Sequence, residues 1–167
     1  MVIKYHTLDR DVASPSGICL TNKFDVMNKK EKNKMINTYD SYVEESGAIT
    51  IEQMRKMHEN MMLEIGEDED ALELYDDLCN AIFPYADLRA KWHTFSIEEK
   101  MDKDSFRTAC HDNVILHFNM IARYLKMQGK EVQWREQLGD EKADKAVRKG
   151  IGDFGCYIIF VNSICAR

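Results

Sequence analysis

Two stretches of this chain constrain its fold more than anything else in it. In residues 105–128, Phe106, Cys110, Val114, Ile115, Leu116, Phe118, Ile121, Tyr124 and Leu125 fall around most of the circumference of a helix. A helix that is apolar on nearly every side belongs inside a protein rather than on its surface. Residues 151–166 are again apolar all round, with Asp153 and Asn162 as interruptions. That stretch is shorter than the ~20 residues needed to span a bilayer, so a buried core element is expected there. Its β-branched residues would suit a strand, but a lone strand would have no partner here, and a helix is expected.

The segments around these two read as amphipathic helices. Asn28 and Glu31 form a starting signal, and Met35, Ile36, Tyr39, Tyr42 and Val43 follow at helical spacing up to Gly47. Thr50 and Gln53 spell a capping box with Ile49 and Met54 placed as its staple, and Met54, Met57, Met61, Met62 and Ile65 form the stripe that follows. The short link predicts that these two helices pack antiparallel.

A third helix opens near Asp70 and should break or kink at Pro84, which lacks an amide donor and clashes with the preceding turn. Ser96 and Glu99 mark another capping box, which predicts a short helix restarting near Asp102 or Asp104. Residues 131–138 and 141–149 read as two short amphipathic pieces. Residues 1–27 have no periodicity and carry the turn signal Ser14-Pro15-Ser16-Gly17, so an irregular arm is expected. The fold class predicted is all-α, a single-domain helical bundle over 28–167. It would have six to seven helices, with 105–128 and 151–166 at its centre.

Composition narrows the setting. At 167 residues the chain is of single-domain length and long enough to bury a core unaided. Its five cysteines are odd in number, widely spaced and without any C-x-x-C, as expected of buried thiols in a reducing compartment. The N-terminus has no apolar signal-peptide core. These features predict a cytoplasmic protein with no membrane partner.

The net charge of −6 is unevenly spread: residues 44–77 hold twelve acidic residues against Arg55 and Lys56. That balance argues against a nucleic-acid partner, because phosphate neutralisation needs a clustered basic face.

Four polar constellations could carry chemistry. Asp104, Arg107 and His111 share one helix face with Asp112 adjacent, and an arginine beside a histidine suits phosphate binding or acid–base work. The plainer reading is a first-turn ion pair and a polar plug. Arg89 and His93 repeat the R-x-x-x-H spacing. Two such pairs invite comparison with the helical HEPN ribonucleases, but both intervals are shorter than in that family's motif.

A metal site would need histidines gathered from separate helices. The five histidines are His6, His58, His93, His111 and His117; His111 and His117 point to different sides of one helix, and no glutamate lies three residues before any of them. No metal and no cofactor are therefore expected.

The acidic run 64–77 offers carboxylate pairs such as Asp76 and Asp77 for Mg²⁺, but it lacks the turn glycine of an EF-hand and reads as a solvated face. The last set is polar residues expected inside: Asn119, Arg123, Arg148, Asp153, Asn162 and Arg167. Asp153 needs a partner, expected to be an arginine of the 105–128 helix, because burying an unpaired charge costs several kcal/mol. The letters G-x-G-x-x-G at 150–155 follow no predicted strand and are not read as a dinucleotide loop.

No motif dictates a reaction. The expectation is a protein acting through protein partners or self-association, without catalysis of its own. The alternative is a helical nucleotide- or RNA-directed hydrolase using Arg107 and His111, with Arg89, His93 and Asp153.

Overall fold

A computed structural model describes residues 49–165, with side chains described as far as Ile159. The expected arm 1–27 and the expected helix that begins at Asn28 lie outside the described residues. So do the side chain of Asn162 and the terminal Arg167. Among the described residues every regular element is helical. They are α1 (Ile51–Ile65), α2 (Glu69–Lys91), a 3₁₀ turn (Trp92–Thr94), α3 (Ile97–Met127), α4 (Gln133–Leu138) and α5 (Lys145–Cys165).

Helix α1 starts where its capping box places it. The Thr50 hydroxyl accepts from the Gln53 amide, and the Gln53 side chain accepts from the Thr50 amide at 2.9 Å. Met54, Met57, Met61 and Ile65 are its buried stripe, and Gly66 ends it with φ +58°. Just beyond, Asp68 caps α2 by accepting from the Ala71 amide. Helix α2 continues through Pro84 and is not broken. Proline removes one helical hydrogen bond there, while Ile82, Phe83, Tyr85 and Ala86 around it are all buried and hold the turn by packing.

Two boundaries differ from the sequence expectation. The helix begun by Ser96 and Glu99 does not restart at Asp102 or Asp104; it is the first turn of one 31-residue helix, α3. Residues 145–149 are likewise the first turn of α5 rather than part of a separate piece. In both cases nothing between the segments, neither proline nor a left-handed glycine, obliges the chain to leave the helix.

The centre of the fold also differs. Helix α5 is buried on all sides from Ile151 to Ile159, as expected. Helix α3 is not: Cys110, Val114, Ile115, Phe118, Ile121, Ala122 and Leu125 face the core, while its opposite side is open. The element that packs most extensively on both is α2, on α3 first and then on α5. Helices α3 and α5 meet more narrowly, with Phe118 stacked on Phe154 at 5.3 Å between ring centroids.

Glycines make the close approach of α5 feasible. A Cβ at Gly155 would lie 3.1 Å from Val114 and 3.3 Å from Ile82, so α5 presses against α2 and α3 at once. The G-x-G-x-x-G letters are a helix-packing surface. Helix α4 is held on by buried Trp134, whose indole N–H donates to Glu64 of α1 at 2.9 Å. Val132 before it is fully buried at φ +50°, a left-handed conformation that costs a β-branched residue about 1–3 kcal/mol. Its burial in the core offsets that strain.

Candidate functional site

Two features stand apart from plain core packing: a polar cluster where α2, α3 and α5 meet, and the outer face of α3.

The cluster centres on Tyr85 and His111, which stack with ring centroids 5.0 Å apart. The His111 Nε2–H donates to the Arg148 backbone carbonyl at 2.7 Å, which fixes that tautomer for the neutral ring. Burial lowers the His111 pKa below the ordinary imidazole value, and the hydrogen bond to Arg148 opposes that only in part. Tyr85 is buried, and loss of solvent drives its hydroxyl pKa upward, with further push from Cys156 and Asp153. Arg89, one turn further along α2, points Nη1 at the Tyr85 oxygen at 3.5 Å. Asp153 is only 2% exposed and is not an isolated charge. Cys156 is buried, and desolvation pushes its thiol up to about 12, which keeps it in the protonated form.

Of the residues singled out from sequence, the fold therefore gathers Arg89, His111 and Asp153 near one another. Arg107 sits at the rim. Its guanidinium lies 4.8 Å from the Trp92 ring centroid and bonds Asp104 at 2.5 Å, the ion pair that the spacing predicts. Its Nε is buried with no hydrogen-bond partner among the described residues. His93 is exposed in the 3₁₀ turn and stands apart. Asp112, beside His111, pairs with Arg148 of α5.

Sequence reasoning missed Tyr85, Cys156 and Gly152. The last carried a signal: a glycine inside an apolar helix marks a close approach.

The remaining polar sets resolve into structural work. Asp68 and Asp70 accept from the Tyr124 hydroxyl, and Glu64 accepts from Trp134, so the acidic run ties α2 and α1 to their neighbours. Asn119 bonds Glu141 and Arg135, which also pair with each other at 2.6 Å. Arg123, expected inside, is exposed. Half-buried His58 bonds the Tyr75 hydroxyl at 2.8 Å. Among the described residues no group of three metal-ligating side chains is assembled, and no helix is long and apolar enough to cross a membrane.

The outer face of α3 is the second feature. Phe106, Leu116, Met120 and Met127 are 56%, 54%, 41% and 77% exposed. With Ala109, Asn113 and Arg123, also exposed, they form the series 106, 109, 113, 116, 120, 123, 127. These steps alternate three and four, the heptad spacing of a helix that pairs with another. The positions packed into the core, Phe118 and Leu125 among them, lie on the opposite side of the same helix. Helix α3 thus carries two apolar faces, one covered and one open, which explains why it reads as apolar all round. No family model, no curated protein and no solved structure matches the chain.

Proposed function

We propose that this protein is a helical docking module, cytoplasmic and without catalysis of its own, that binds another helix along the outer face of α3. The domain is taken as a six- to seven-helix bundle over 28–167. The observation that carries the reading is the exposed heptad series from Phe106 to Met127. Scattered exposed apolar residues need no explanation, but a row at coiled-coil spacing backed by a rigid core presents knobs and holes to a partner helix.

The polar cluster supports the same reading. Its members are spent on joining three helices: His111 on Arg148, Tyr85 against Gly152, and Asp153 deep in α5. Networks of this kind fix register between core helices. Here that orients α3 along its length.

The test is photo-crosslinking in cells that make the protein. A photoreactive amino acid at Leu116 should give an adduct heavier than one chain, and the same residue at exposed Glu67 should not. No heavy adduct at Leu116, an adduct confined within one chain, or equal adducts at both positions contradicts the reading.

A further inference from the structure

From the charge layout of the docking face we infer that its partner is a second copy of this chain, with the two α3 helices antiparallel. The inference rests on the docking reading above. Along the seam the N-terminal end of α3 is acidic, with Glu98 and Asp102 exposed. Lys100 and Lys103 of the same turns are half-buried away from it, and Lys103 lies over the Phe95 ring. Toward the far end Arg123 is exposed on the seam itself, between Met120 and Met127, while Lys126 beside it is paired with Glu136.

A copy laid parallel would set Asp102 beside Asp102 and Arg123 beside Arg123. A copy laid antiparallel brings Asp102 of each chain to within about one helical turn of Arg123 of the other, twice over by symmetry. Between these charge pairs lie Phe106, Leu116 and Met120, with Asn113 in the middle. A single polar residue in such a seam specifies register at some cost in stability. Opposite charges flanking an apolar seam select partner and direction.

The experiment is sedimentation equilibrium on the full chain from about 1 to about 100 μM, a range that resolves micromolar dimers. The wild type should fit two chains. Asp102→Lys and Arg123→Glu should each weaken the dimer about tenfold or more, since each sets two like-charged contacts across the seam. The double variant should recover it. An equimolar mixture of the two single variants should also recover it. In that mixed dimer the introduced lysine meets the introduced glutamate, and the native aspartate of one chain meets the native arginine of the other.

A wild type that stays monomeric throughout, or single variants that the double variant and the mixture do not rescue, overturns the inference. A monomeric wild type whose Leu116 crosslink has the mass of a different protein overturns self-pairing and leaves the docking reading standing. A Leu116 crosslink absent altogether removes both.

Discussion

The Tyr85 hydroxyl oxygen lies 2.6 Å from where a Cβ on Gly152 would be, and His111 Nε2 lies 2.9 Å from the same point. No methyl group fits there. Gly152→Ala should destabilise the protein by about 1–3 kcal/mol, the usual cost of forcing extra volume into a packed interior. Denaturant unfolding measures it, and helix propensity alone predicts the opposite sign. Gly129→Ala is the informative contrast: its surroundings are open, so any loss there comes from φ +78° alone.

Stability should fall on mild acidification. His111 and His58 both have pKa values lowered by burial from the ordinary 6.5. Between the lowered folded value and 6.5, the unfolded chain binds more protons than the folded one. Unfolding free energy therefore rises with pH across that window. The contribution is fully present above 6.5 and is lost as pH falls through the folded values. His111→Gln combined with His58→Gln should flatten the slope of stability between neutral pH and about pH 5. A slope unchanged in the double variant would contradict this assignment.

Trp134 should be the main attachment of α4. It is fully buried, packs against Phe118 and donates to Glu64. Trp134→Phe keeps most of the apolar contact and should cost about 1 kcal/mol for the lost hydrogen bond. Trp134→Ala should cost about 3–5 kcal/mol. Hydrogen exchange should show faster opening of α4 in both variants, more so in the second.

How far the sequence can be read follows from what each signal depends on. The caps at Thr50 and Ser96 are local chemistry, a hydroxyl and a carboxamide or carboxylate three residues apart, and both helices start there. The Met54–Ile65 stripe is also local. Continuity through Pro84 is not legible, because it depends on the burial of residues around it. The role of α3 is hidden for a related reason. Two stripes, Cys110–Phe118–Leu125 inward and Leu116–Met120–Met127 outward, together look like one helix buried on every side. Only the positions of α2 and α5 reveal which stripe is covered. The polar site is half legible: the Arg107–Asp104 pair follows from spacing, whereas Tyr85 and Cys156 join through tertiary packing that no spacing encodes.

If α3 pairs with a second copy, its outer face must lie outside the core and be free to associate. The most direct measurement is the unfolding free energy of Leu116→Glu against the wild type at several protein concentrations. At the dilute end the two should agree within about 0.5 kcal/mol, as for a surface substitution. The wild type should then gain stability as concentration rises while the variant does not, since association stabilises only the chain that can pair. A loss of several kcal/mol in the variant at every concentration would mean that Leu116 is a core residue, and would contradict the pairing of α3.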